Sequence, residues 1–234
     1  MKIGVIGAMQ MEVDNIKEAM TDTSIQTCSG IEFVCGRIGD AEVVAAVCGI
    51  GKVFAAICAE AMILKYEVDM VINVGVAGSL TKDLGLLDVA VAQNVVQHDM
   101  DTSPLGDPVG LLSGINEILL PCNPKMKDLM VDCLKEAGIP YMTGTIATGD
   151  QFIASEEKKR WIREHFSAIA AEMEGGSIGH VCYINKVPFL ILRSISDSEG
   201  GAMDYQTFAE KAAVQSIEAV LAFIRRAREL NEIL

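Results

Sequence analysis

The chain has 234 residues, half of them apolar and 22% charged, enough for a sizeable core and unlike a disordered chain. Its 19 basic and 32 acidic residues leave a net charge of −13, which excludes the basic surface that a nucleic-acid binder needs. No uncharged apolar stretch reaches the ~18 residues of a membrane span, and the N-terminal "MKIGVIGAMQMEV" lacks the longer apolar region of a signal peptide.

In chain order, "KIGVIGAM" reads as a strand and "QMEVDNIKEAM" as an amphipathic helix. "IEFVCGRIG" and "AEVVAAVCG" form a strand pair around Gly39-Asp40. "KVFAAICAEAMILKY" is helical, and "DMVINVGVAGSL" is one buried strand running into a glycine-rich turn. The strand "LLDVAVAQNVVQHD" precedes a Gly/Pro-rich loop, "TSPLGDPVGLLSG". A helix with Pro near its start follows, "PKMKDLMVDCLKEAG". Then come strand "YMTGTIATGD", helix "SEEKKRWIREHF", strand "AIAAEME", helix "GSIGHVCYIN" and strand "PFLILRSISD". One long helix from about Asp204 to Leu230 closes the chain. Continuous apolar strands separated by helices predict an α/β fold with a parallel or mixed sheet covered on both faces. No repeat or linker divides residues 1–234, so a single domain is expected. The seven cysteines are scattered and form no CxxC, as expected for buried thiols in a reducing cytoplasm.

Four of the apolar strands end in glycine or acidic residues: Gly75 to Ser79, Gly149-Asp150, Glu172 with Glu174, and Ser196-Asp197. Ligands of α/β sheets sit outside the carboxyl ends of strands, so these four ends predict one cleft. Each also has a bland explanation. "GVIGAM" lacks GxGxxG spacing and suits close helix–strand packing, Glu12 suits a solvated first helical turn, and Asp197 suits an N-cap. Glu172 and Glu174 are harder to dismiss. On a continuous strand they share one face, and buried carboxylates must be paired or hydrogen-bonded. One would accept from sugar hydroxyls, the other from amides or a cation such as Arg193.

The ordered set "KIGVIGAMQMEV", "GIGKVFAA", "INVGVAGSL", "TGDQFI", "AAEMEGGSIGHVC" and "VPFLILRSISD" resembles the bacterial 5′-methylthioadenosine/S-adenosylhomocysteine nucleosidases, which are purine nucleoside phosphorylase-like. The resemblance runs from residue 2 to about residue 216. It implies a three-layer α/β/α fold with a mixed, partly barrel-like central sheet, and no metal or organic cofactor. It also implies a cytoplasmic homodimer whose 5′ pocket is partly supplied by the neighbouring subunit. The implied reaction is hydrolysis of the bond between adenine N9 and ribose. Glu12 would activate the water and Asp197 would protonate adenine N7. Met173 and Glu174 would hold the ribose, with Glu174 accepting the 2′-hydroxyl. Phe152 would stack on adenine and the Ile153 backbone would read its edge. Gly78 would line the water and ribose side, Arg193 and Ser196 would support, and Tyr205 stands where a lid aromatic is expected.

The sequence departs from the family at Val76, where many relatives carry Ser, and in the stretch after Asp197. The loop at 98–114 also aligns poorly, which leaves the 5′ substituent open. A phosphorylase would need Arg or backbone donors near the first strand end, but no Arg precedes Arg37 and an acid stands there instead. A futalosine-type nucleosidase could use the same residues. A non-catalytic nucleoside-binding protein could as well, but it leaves a paired acid and base without purpose.

Overall fold

In a computed structural model, residues 1–197 and 202–230 are described. The elements in order are β1 (Lys2–Gly7), α1 (Gln10–Glu18), β2 (Thr21–Cys28), β3 (Ile31–Ile38), β4 (Ala41–Val47), α2 (Lys52–Leu64), β5 (Met70–Asn73) and β6 (Val76–Ser79). Next are β7 (Val89–Gln97), β8 (Leu120–Pro121), α3 (Pro124–Glu136), β9 (Tyr141–Thr148), α4 (Glu156–Phe166) and β10 (Ala168–Glu172). The last are α5 (Gly175–Asn185), β11 (Phe189–Asp197), α6 (Ala202–Gln215) and α7 (Ile217–Arg226).

Among the described residues eleven strands form one mixed sheet in the order β2-β3-β4-β1-β5-β11-β6-β10-β9-β7-β8. β11 also pairs with β7, which closes β11, β6, β10, β9 and β7 into a ring and leaves the other strands as an open extension. The expected mixed, partly barrel-like sheet is therefore present. β11 lies at the junction of ring and extension, and all nine of its residues are buried. Two helix groups cover the sheet: α2 packs on α5, while α1 packs on α6 and α7, and α7 on α3. The start of α3 is fixed by Asn123, whose side chain accepts from the Lys125 and Met126 amides, and by Pro124, which needs no amide partner there. All seven cysteines are free thiols. No helix among the described residues is long and apolar enough to cross a membrane.

Four local expectations change. β2 is an additional strand, edge-paired to β3; almost all its residues are exposed and polar, so no apolar alternation announces it. "DMVINVGVAGSL" forms two strands because the chain turns at Val74-Gly75 from β5, in the open extension, to β6, in the ring. The strand expected through Glu174 stops at Glu172; Glu174 instead caps α5 with φ −131 and ψ −42. The C-terminal helix is broken at buried Ser216, where packing passes from β11, under α6, to α3, under α7. Residues 198–201, part of the stretch after Asp197 that departs from the family, lie outside the described residues.

Candidate active site

The four predicted strand ends converge on one cavity of about 340 Å³. β6 contributes Val76, Ala77 and Gly78, and the loop after β9 contributes Gln151, Phe152 and Ile153. Glu172, Met173 and Glu174 come from the end of β10, and Ser196 and Asp197 from the end of β11. Ala8, Met9 and Glu12 enter from the β1–α1 junction, Ile50 from the loop before α2, and Tyr205 from α6. The loop at 98–114 contributes none of the lining.

Glu12 stands in the first turn of α1, but it is not solvated: it is 3% exposed. Its Oε2 accepts the Ala8 and Met9 amides at 2.7 and 2.9 Å, and its Oε1 accepts the Val76 amide at 3.2 Å. Burial raises its pKa above the usual glutamate value, against the opposing pull of Arg193 and these amides. Val76 thus serves through its main chain, a contact that Ser at this position would share.

The turn between β5 and β6 explains Gly75. A Cβ there would lie 2.7 Å from Arg193 Nη1 and 2.8 Å from Glu12 Oε1, so only glycine lets the chain pass between them. Gly75→Ala is expected to cost about 1–3 kcal/mol through overpacking. For a chain of this length that means a fall of roughly 2–4 °C in Tm per kcal/mol, measurable by thermal unfolding. An unchanged Tm would show that Glu12 and Arg193 have room to move aside.

Asp197 lies at the other end of β6. A register shift between Ile195 and Asp197 sets Asp197 opposite Gly78, and a Cβ at Gly78 would meet Asp197 Oδ2 at 2.7 Å. Such irregularities re-aim a side chain next to a site. Asp197 is 2% exposed, and its Oδ1 accepts from the Ser196 hydroxyl at 2.9 Å. Two residues of strand, about 6–7 Å, separate the amide held by Glu12 from the glycine faced by Asp197. Two acids therefore reach the cavity from different elements, one at each end of β6.

Every predicted site residue except Arg193 lines the cavity. Arg193 is 1% exposed and reaches the site from behind. It pairs with Glu172 Oε2, donates to Asn73 Oδ1 at 2.6 Å, and lies 3.5 Å from Glu174 Oε2. This arrangement separates the two glutamates. Glu172 also accepts from the Thr148 hydroxyl and from the Glu174 and Gly175 amides, at 3.0 and 2.7 Å for the amides. Burial opposes its ionisation, but Arg193 and these donors outweigh it and hold its pKa low. Glu172 is the structural partner. Glu174 is raised to about 7 by burial and by the Glu172 charge, and among the described residues its side chain has one short bond, from the Gly51 amide at 2.9 Å.

Over the cavity, Phe152 meets Tyr205 edge-on with ring centroids 5.6 Å apart, and the Tyr205 hydroxyl lies 3.4 Å from Met9 Sδ. Sequence reasoning missed Thr148, Asn73 and the Gly51 amide. The first two are the last residues of β9 and β5, neutral polar side chains that a search for glycine and acids at strand ends passes over, while a main-chain donor leaves no compositional trace. Among the described residues no three His, Cys, Asp or Glu side chains gather as metal ligands.

This ring of strands, with acids delivered to its open end, is the architecture of the phosphorylase superfamily, whose family model matches residues 2–225. The 5′-methylthioadenosine/S-adenosylhomocysteine nucleosidase of Shewanella loihica is 35% identical over 228 residues, 96% of this chain and 99% of that protein. A mutant of the Helicobacter pylori enzyme of the same name, holding 5′-methylthioadenosine in its active site, is 36% identical with a TM-score of 0.92. That match covers 95% of this chain and 97% of the other. A Helicobacter pylori structure described as native futalosine hydrolase is 37% identical with a TM-score of 0.91, over 95% and 97% of the two chains. Within the superfamily, this chain belongs to the 5′-methylthioadenosine/S-adenosylhomocysteine nucleosidases.

Proposed function

We propose that the chain hydrolyses the N-ribosidic bond of 5′-methylthioadenosine and S-adenosylhomocysteine, and also of 5′-deoxyadenosine. The products are adenine and the corresponding 5-substituted ribose, as methionine salvage requires. The observation that carries this reading is the delivery of Glu12 and Asp197 to the two ends of β6 in one cavity. Glu12 takes a proton from water, whose oxygen bonds to the ribose carbon as the bond to N9 breaks. Asp197 gives its proton to adenine N7, so the base leaves neutral. Positive charge developing on the sugar is offset by the surrounding carboxylates. Glu174 accepts the 2′-hydroxyl, Met173 lies against the ribose, Phe152 stacks on adenine, and the Ile153 backbone reads the base edge. Ser196 orients Asp197, Arg193 fixes Glu172 from behind, and Tyr205 closes the opening.

Water is favoured over phosphate as nucleophile because a carboxylate occupies the nucleophile's side and Arg193 is already committed to Glu172 and Asn73. The reading includes a cytoplasmic homodimer with the 5′ pocket completed by its partner. Val53, Phe54 and Ile57 make an exposed apolar stripe on α2, and half-exposed Ile50 joins it to the cavity lip. A second reading, a futalosine-type nucleosidase, is favoured by the comparably close structural match under that description.

The test is release of the free base: adenine from 5′-methylthioadenosine with and without phosphate, adenine from S-adenosylhomocysteine and 5′-deoxyadenosine, and hypoxanthine from futalosine in parallel. Release independent of phosphate is expected. Release that requires phosphate makes the protein a phosphorylase, and release from futalosine alone selects the second reading.

A further inference from the structure

Two loops that each contribute to the cavity lining are tied together outside it. One carries Ile50 and the start of α2. The other follows β9 and carries Asp150, then Gln151 to Ile153. Gly51, the N-cap of α2, has no side chain with which to satisfy the helix's first amides, and Asp150 does so from the other loop. Its Oδ1 accepts the Lys52 amide at 2.8 Å. Asp99, which follows β7, closes the ring: Oδ2 accepts the Asp150 amide at 2.9 Å and Oδ1 takes the Lys52 ammonium at 2.7 Å. Gln97 Oε1 accepts from the same ammonium at 3.2 Å.

We infer that Asp99, Lys52 and Asp150 form a latch that positions the Gly51 amide on Glu174, and that Asp99 is therefore a positioning residue for the ribose contact. The inference rests on the proposed reading in which Glu174 accepts the 2′-hydroxyl. Gly51 has φ +99, and a Cβ there would lie 3.0 Å from Asp150 Oδ1. That glycine conformation sends two successive amides to two different carboxylates, Gly51 to Glu174 and Lys52 to Asp150. Arg193 is a poor substitute for the Gly51 amide, because its shorter bonds go to Glu172 and Asn73.

The charges around the latch keep Asp99 ionised and leave Glu174 dependent on few donors. Burial opposes the ionisation of Asp99, but Lys52, the Asp150 amide and neighbouring His98 outweigh it and hold its pKa below the usual value. Glu174 is faced by Glu172 of β10, Glu12 of α1 and Arg193 of β11, with Cys48 and Tyr205 also near. Of these only Arg193 and the Gly51 amide favour its charged form. A displaced Gly51 amide leaves Glu174 protonated to higher pH, weakening an acceptor that must be ionised to bind best.

The experiment compares the full-length wild-type protein with Asp99→Ala on 5′-methylthioadenosine and on its 2′-deoxy analogue. KM for 5′-methylthioadenosine should rise about tenfold, the scale of one bond to a charged group, while kcat stays within about threefold. The acid limb of kcat/KM against pH should move upward for this substrate. With the 2′-deoxy analogue, where no hydroxyl meets Glu174, the variant should lose less than about twofold. Equal loss on both substrates, no loss on either, or an unmoved acid limb overturns the latch. Lys52→Met carries the same expectation and replaces Asp99→Ala should that variant not fold. Wild-type protein that releases no adenine overturns the functional reading instead, and does so before any variant is compared.

Discussion

Glu12→Gln is expected to lower kcat by ~10²–10⁴, the usual worth of a positioned base. The substitution is nearly isosteric, so what it removes is the ability to take a proton from water. It also inverts one hydrogen bond. Glu12 meets three amide donors, Ala8 and Met9 at Oε2 and Val76 at Oε1. A glutamine offers one oxygen, so its NH2 must face either the Val76 amide or the Ala8–Met9 pair. An opposed buried donor costs about 1–3 kcal/mol, which makes a lower Tm the expected companion of lost turnover. Burial raises Glu12, so wild-type activity should fall on acidification at a higher pH than an ordinary glutamate would give. In the variant the acid limb of kcat at saturating substrate should disappear, while the limb of kcat/KM that belongs to Glu174 remains. Adenine release measured across pH, with circular dichroism as a control for fold, checks all three. A near-normal rate would sink the assignment of Glu12 as base.

The parts of this site that were legible in the sequence are those where chemistry breaks a pattern. Carboxylates at the ends of apolar strands have no packing reason to be there, and Glu172, Glu174 and Asp197 all proved to be buried at one cavity. Glu12, which reads as a solvated residue of a first helical turn, was singled out by the resemblance and is buried there too. Close approach without side-chain chemistry was not legible. Gly75 reads as a turn glycine, yet its lack of a Cβ is what lets Glu12 and Arg193 meet β6. The equivalence of the two glutamates also dissolved for a geometric reason. With the strand ending at Glu172, the bend at Met173 sends one carboxylate down to Arg193 and Thr148 and the other out to Gly51. The latch was invisible because Asp99, Lys52 and Asp150 stand 47 and 98 positions apart along the chain and look like ordinary surface charges. β2 was missed for the opposite reason: it is held by ladder bonds to β3 and buries almost nothing.

Asp197→Asn should match Glu12→Gln in size on adenine nucleosides, a loss of ~10²–10⁴, yet differ from it in kind. Asparagine keeps the shape of Asp197, can still accept from the Ser196 hydroxyl, and fits opposite Gly78. It cannot give a proton to N7. The barrier that rises is therefore the one for a base leaving as an anion, and its height depends on the leaving group. A 5-methylthioribosyl substrate whose leaving group departs unprotonated, such as nitrophenolate, should lose less than about tenfold in this variant. The same substrate still needs an activated water, so Glu12→Gln should slow it as much as it slows 5′-methylthioadenosine. Four kcat/KM values, two variants on two substrates, separate acid from base without reference to any relative. If Asp197→Asn slows the nitrophenyl substrate as severely as the adenine nucleoside, Asp197 is acting on the sugar or the water. Its place opposite Gly78 would then reflect charge stabilisation rather than proton donation.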